Sequence, residues 1–100
     1  MKSGIEIIAE ERKRQIEVEG WTSEHDDLYT EGQLAIAGAT YALPTSDRNR
    51  LSRRVYLTGT PIMFPFSYKW WKPTPDDRIR ELAKAGALIA AEIDRLQRLK

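Results

Sequence analysis

One hundred residues suffice for one domain with a modest core, and not for two. The absence of cysteine excludes a disulfide framework, a thiolate metal site and a cysteine nucleophile, and fits a reducing compartment. A formal net charge of +1 on a chain that is 31% charged excludes the one-sided basic field of a general nucleic-acid binder, so any affinity for polyanions needs a local patch. Met1 to Ile5 runs into charge at Glu6. Neither a signal peptide nor a membrane span is expected, and the cytoplasm is the expected location.

Ser3 to Glu6 has the serine-x-x-glutamate form of a capping box, and Ile5, Ile8, Ala9, Ile16 and Val18 follow near helical spacing. A first helix is therefore expected over about residues 4 to 19, ended by Gly20. Arg12 interrupts its apolar line, either as a snorkelling side chain at the core edge or as one turned toward a ligand. A polar connection anchored by Trp21 comes next. Thr30 and Gln33 then repeat the capping pattern, and Leu34 to Leu43 reads as a short helix stopped before Pro44. Ala35, Gly38 and Ala42 line one face of it, where a second helix can approach closely.

Between Pro44 and Pro75 the periodicity fails. A turn or two of helix over Asp47 to Arg54, a small hairpin from Val55 to Phe64, or an ordered aromatic-rich loop all fit this segment. Its prolines and aromatics make it too apolar to leave unpacked. Thr74 as N-cap, Pro75 at the first helical position and the acids Asp76 and Asp77 predict the start of the last helix. Ile79, Leu82, Gly86, Ile89, Ile93 and Leu96 recur three and four apart and carry it to Leu99. This stripe is expected to pair with Ala35, Gly38 and Ala42 in the core. Asp76 with Arg80, and Asp94 with Arg98, are acid-before-base pairs one turn apart. At ~1.5 Å per residue the helix is roughly 35 Å long, more than a compact domain of this size needs, so its far end at Leu96 and Leu99 is the expected subunit contact. The fold class is mainly α: a single domain over residues 1–100 with three to four helices and an ordered, aromatic-rich insert over 44–75.

Three residue sets invite chemistry. Glu24, His25, Asp26 and Asp27 have the side chains for a divalent metal or for proton transfer. Against that, the chain has one histidine, and four adjacent residues do not all point at one ion. Local capping and packing of His25 beside Trp21 is the plainer reading. Arg48, Arg50, Arg53 and Arg54, followed by Tyr56, Phe66, Tyr68, Lys69, Trp70, Trp71 and Lys72, combine guanidinium forks for phosphates with flat faces for bases. The same aromatics also suit a core and the same arginines a solvated face. Thirdly, the all-α nucleoside triphosphate pyrophosphohydrolases use paired carboxylates one turn apart on two helices. Glu6 and Glu10 form such a pair, but Glu92 and Asp94 are two apart and diverge. No serine, histidine and acid set is recognisable, and the glycines are too scattered for a phosphate loop. No catalytic residue, cofactor or metal is assigned.

Glu19-Gly20-Trp21-Thr22 with Glu24-His25-Asp26-Asp27, then Trp70-Trp71-Lys72-Pro73, Lys84-Ala85-Gly86-Ala87-Leu88-Ile89 and Ala91-Glu92-Ile93 resemble a group of small proteins encoded by tailed bacteriophages and prophages. Glu11-Arg12, Arg14-Gln15 and Asp77-Arg78 extend the resemblance. It covers about half of the chain, at both ends, and leaves Ser46 to Pro65 outside. It implies a host and no mechanism. In that setting the expected function is an anti-defence binding protein, a homo-oligomeric sponge for a phosphorylated nucleotide-like signal in the cytoplasm of the infected host. Arg12, Arg53, Arg54 and Lys72 are expected to meet phosphates, with Trp21, Tyr68, Trp70 and Trp71 as the aromatic side of the site. The partner is a small nucleotide, with subunit interfaces holding it, rather than a membrane or a nucleic-acid polymer. The alternatives are a magnesium-dependent nucleotide pyrophosphohydrolase using Glu10, Glu24, Asp26 and Asp27, and a protein-only inhibitor with Phe66, Trp70 and Trp71 as hot spots.

Overall fold

The structure, a computed structural model, describes the backbone of residues 1–52 and 60–99 and the side chains of 1–48 and 60–99. The chain is mainly helical, with no strand among the described residues. In order it forms α1 (Gly4–Glu17), α2 (Ser23–Asp26), α3 (Gln33–Ala42), α4 (Thr45–Ser52), a 3-10 turn (Tyr68–Trp70) and α5 (Arg78–Arg98). Val55 to Gly59, where half of the hairpin was expected, lies outside the described residues.

The capping box of α1 is present: the Ser3 hydroxyl accepts from the Glu6 N–H at 3.2 Å, and the Glu6 carboxylate accepts from the Ser3 N–H at 3.1 Å. Two other helix starts differ from expectation. Gly32, at φ +80°, caps α3 in the left-handed region, which glycine enters without steric cost. Gln33 turns its Oε1 back onto the Glu31 N–H at 2.7 Å, and Thr30 takes no part. At α5 the cap is Asp77, which accepts from the Arg80 N–H at 3.1 Å. Thr74 and Pro75 instead make a preceding turn, closed by the Asp77 N–H on the Thr74 carbonyl.

Three helices lie in one layer with α5 in the middle. Ile8 of α1 lies over Gly86, Arg12 reaches Asp94 at 4.0 Å on one side, and Glu11 and Arg14 lie beside Arg80 and Lys84 on the other, so α1 crosses α5 near Gly86. A β-carbon on Gly86 would sit 2.6 Å from Ile8 Cδ1, so a larger residue there obliges the Ile8 side chain to move. On the other flank Gly38 of α3 touches Ala85, Leu88 and Ile89, while the carbonyls of Tyr41 and Leu43 accept from Arg78 at 2.9 and 3.2 Å. α3 is therefore antiparallel to α5. Of the expected pairing between the stripe and the small-residue face of α3, Ile89 lies against Gly38, whereas Gly86 closes on α1.

The core is Leu34, Ala37, Tyr41, Phe64, Ala85, Leu88 and Ala91, with Trp21, Tyr29, Phe66 and Trp71 packed against it. Half of these aromatics, Phe64, Phe66 and Trp71, come from residues 60–75, which cover one face of the helical layer. Among the described residues no segment covers the second face, which carries the stripe predicted to be core. Leu82, Ile89, Ile93 and Leu96 are 44–52% exposed, whereas the inward positions of α5 include Glu81, Lys84, Glu92 and Arg95. The molecule is accordingly a slab of 36 × 36 × 22 Å. At ~31 Å, α5 is shorter than the slab's longest dimension of 36 Å and does not outgrow the domain.

Polar burial is compensated by pairing. Glu81, fully buried, receives Arg48 at 2.9 Å, Arg78 at 3.2 Å and the Thr74 N–H at 3.0 Å. Arg48 also donates to the carbonyls of Thr40 and Tyr41, each at 3.0 Å. Arg78 donates to those of Tyr41, Leu43 and, very closely, Ala42. These carbonyls are the open C-terminal end of α3, which guanidinium donors satisfy in place of water. Arg48, read from sequence as part of a basic surface, is thus a buried clasp between α3, α4 and α5.

Candidate functional site: an aromatic cavity beside a basic pocket

Trp21 anchors the connection after α1, its N–H donating to the Gln15 carbonyl at 3.0 Å. α2 then presents His25, whose ring stacks on Trp21 at 5.9 Å and 3° and meets Tyr29 edge-on at 5.1 Å. Tyr29 meets Phe66 at 4.8 Å, and Phe66 meets Phe64 at 5.8 Å. These rings, with Trp70, Tyr41, Leu34, Ala37 and Leu88, line a cavity of 230 Å³. Rings on all sides and few polar atoms make it suited to one flat aromatic group held by stacking.

The 3-10 turn supplies the wall between this cavity and its neighbour. The Tyr41 hydroxyl donates to the Trp70 carbonyl at 3.2 Å and accepts from the Lys72 N–H at 2.9 Å, fixing Trp70 and Lys72 against α3. Behind Trp70 lies a second pocket of 80 Å³, lined by Glu11, Arg14, Gln15, Glu19, Lys72, Arg80 and Lys84 together with Trp21, Tyr41, Trp70 and Leu88. Four bases against two acids leave an excess of two positive charges. Arg14 holds Glu11 in a two-pronged pair at 2.9 and 2.8 Å and reaches Glu19 at 3.0 Å. That bond, from Arg14 above all, keeps the Glu19 carboxyl below its ordinary range. Arg80 makes no ion pair among the described residues.

Two buried groups in this pocket have capacity to spare. Lys84 donates to the Lys72 carbonyl at 2.5 Å and lies 5.7 Å over the Tyr41 ring. Burial, and next the charge of Arg80, hold its ammonium below the ordinary lysine range. Gln15 is 1% exposed; its Nε2 donates weakly to Glu11 at 3.4 Å, and its Oε1 has no partner among the described residues. A buried acceptor without a donor is costly, and within a pocket it marks where a donor-bearing ligand gains.

Of the residues expected to bind ligand, Trp21 and Trp70 line both pockets and Lys72 lines the basic one. Arg12 is turned elsewhere: it donates to Asp26 at 3.1 Å and to the Trp21 carbonyl at 3.4 Å, positioning the Trp21 connection instead of meeting a phosphate. Trp71 stacks on Tyr41 at 4.7 Å, under Arg48, and belongs to the core. Tyr68 is exposed and lines neither pocket. Arg53 and Arg54 lie outside the described residues, as do Tyr56 and the side chain of Arg50.

The acidic cluster does not converge. Asp26 is buried between Arg12 and His25, whose Nδ1 is 2.9 Å away. Asp27 pairs with Arg98 at 2.7 Å, so Arg98 serves α2 and not Asp94, and Glu24 is exposed. Glu10 pairs with Lys2 at 2.7 Å. Among the described residues no three His, Cys, Asp or Glu side chains are grouped to hold a metal ion.

Tyr29, Gln15, Arg14, Arg80 and Lys84 escaped the sequence reading. Tyr29 stands in a polar connection, and the charged and amide residues sit on helices where such types ordinarily face water. No family model matches the chain, and no curated protein or solved structure shows significant similarity to it.

Proposed function

We propose that this chain is a non-enzymatic phage accessory protein, a sponge that captures a phosphorylated nucleotide-like ligand in the infected host's cytoplasm and so blunts a defence signal. The observation that carries the binding reading is the adjacency of a ring-lined cavity to a pocket with two excess positive charges, across the shared edge of Trp21 and Trp70. A base stacks in the first while its phosphate meets Lys72, Lys84 and Arg80 in the second. The phage setting rests on the sequence resemblance alone. A homo-oligomer is part of the proposal, but the site needs no second subunit, since one chain supplies both halves.

Calorimetry against ADP-ribose, a cyclic dinucleotide and a cyclic trinucleotide tests this reading. Saturable binding is expected, with the ligand recovered unchanged after denaturation. Recovery of cleaved products in the presence of magnesium favours a hydrolase instead. Absence of binding to any of these classes overturns the proposal and leaves the protein-only inhibitor, with Trp70 at its exposed rim.

A further inference from the structure

A helical layer has two faces, and a stable domain covers both. Here residues 60–75 cover one. On the other, α5 shows Leu82, Ile89, Ile93 and Leu96, each about half exposed, flanked by Ile5 of α1, one turn before the Ile8 that rests on Gly86. This is not the ligand side. Ala91 faces the core and Lys84 the basic pocket; Ile93 and Leu82, each two residues away, point about 160° around the helix from them.

We infer that this face is covered by the same face of a second copy of the chain, two slabs meeting back to back across a two-fold axis. The inference rests on the homo-oligomer part of the function proposed above and gives it a surface. Three observations select a second copy. The exposed aliphatics amount to roughly 500 Å² of apolar surface, at the top of the range for ordinary monomers and most of the ~800 Å² that each partner brings to a stable interface. A slab only 22 Å thick becomes a two-layer, six-helix body when doubled, which gives the central α5 the second layer it lacks. With a net charge of +1 on a chain carrying 16 basic and 15 acidic side chains, two copies meet without strong repulsion. The two ligand sites then face outward, each complete within its own chain.

Light scattering and sedimentation on the intact chain, with Ile93→Lys, Leu82→Gln combined with Leu96→Gln, and Leu28→Lys, decide the matter. Leu28 is exposed just after α2 and is not part of the stripe. The wild type and Leu28→Lys are expected at twice the chain mass, or a multiple of that. Ile93→Lys and the double variant are expected to retain their helical circular dichroism and weaken self-association by about 100-fold or more, the scale of losing a central contact. A monomeric wild type, or stripe variants of unchanged mass, overturns the inference. The uncharged double variant repeats the test should Ile93→Lys lose its helical signal. Titrating ADP-ribose into the Ile93→Lys monomer keeps the two proposals separate: retained binding is expected, and a wild type that dimerises without binding any nucleotide sinks the ligand reading alone.

Discussion

The indole of Trp21 meets that of Trp70 edge-on, with ring centroids 6.1 Å apart, and this pair is the wall shared by the aromatic cavity and the basic pocket. Trp70, unlike Trp21, is not among the rings packed against the core, so its removal acts on the ligand more than on the fold. Trp70→Ala is expected to weaken nucleotide binding by about 1–3 kcal/mol, the worth of one stacking face. Thermal stability should change little. Trp71→Ala is the contrast: that ring stacks on buried Tyr41, and its loss should cost ~3 kcal/mol or more of stability. Calorimetry and thermal unfolding on both variants check the division, and equal effects on binding and folding would argue against it.

Lys84 makes the site sensitive to alkaline pH. Burial, then the nearby Arg80 charge, lowers its pKa from the ordinary 10.5, while a bound phosphate favours the charged ammonium. Affinity should therefore fall as pH rises through the depressed pKa, beginning below 10.5. Stability of the free protein moves the other way in that window, because the unfolded chain holds this proton more tightly than the native one. Tyr41, pushed up to about 12 chiefly by burial, keeps its proton longer when folded and subtracts stability only above 10. Lys84→Met should lose about 1.5–3 kcal/mol of phosphate binding and abolish the alkaline dependence. Binding isotherms across pH 7 to 10 on both proteins measure it; a Met variant that titrates like the wild type removes Lys84 from the site.

The capping box at Ser3 and Glu6 was legible in the sequence because its two hydrogen bonds are local, between residues three apart. The stripe from Leu82 to Leu96 was equally legible as a stripe, and its place was misread, since periodicity reports a face that needs covering without saying what covers it. The opposite face of α5 was invisible for the converse reason. Glu81, Lys84, Glu92 and Arg95 are types that ordinarily face solvent; here Arg48 and the Lys72 carbonyl reach Glu81 and Lys84 from distant segments, while Arg78 joins Glu81 and Arg95 joins Glu92 within the helix. Trp70 and Trp71 show the same limit within two residues. Both suited a base platform, yet the 3-10 turn sends one to the pocket wall and the other to the core.

The clasp of Glu81 with Arg48 and Arg78 should dominate acid unfolding. Burial pushes its carboxyl upward, but the hydrogen bond and charge of Arg48, with Arg78 and the Thr74 N–H, outweigh this and leave it below the ordinary 4.5. A lowered folded pKa contributes stability that is complete above the unfolded value and is lost as pH falls through the folded one. Unfolding midpoints should therefore decline progressively below pH 4.5. Glu81→Gln leaves two guanidiniums with carbonyls alone and should cost about 3–5 kcal/mol at neutral pH, with a flatter acid limb. Urea titrations from pH 3 to 7 provide the measurement, and an unchanged acid limb in the variant assigns acid sensitivity elsewhere.

Gln15 offers the sharpest separation of binding from stability. Its side chain is buried in the wall of the basic pocket; among the described residues its Oε1 lacks a donor, and its bond to Glu11 is long at 3.4 Å. Glu11 retains its two-pronged pair with Arg14 when that bond is removed. Gln15→Met, close in volume and apolar, therefore deletes an uncompensated acceptor and should leave the free protein as stable as before or raise stability by up to about 1–2 kcal/mol. The same change should weaken a ligand that donates to Oε1, such as one with a sugar hydroxyl or an exocyclic amine, by about 1 kcal/mol or more. Comparing a ribonucleotide with its deoxy analogue on wild type and variant identifies the donor: a preference for the hydroxyl that disappears in Gln15→Met places the sugar against Gln15. Destabilisation of Gln15→Met by several kcal/mol, with unchanged affinity, would instead make Gln15 a structural side chain and move the ligand's polar contacts to Lys84 and Arg80 alone.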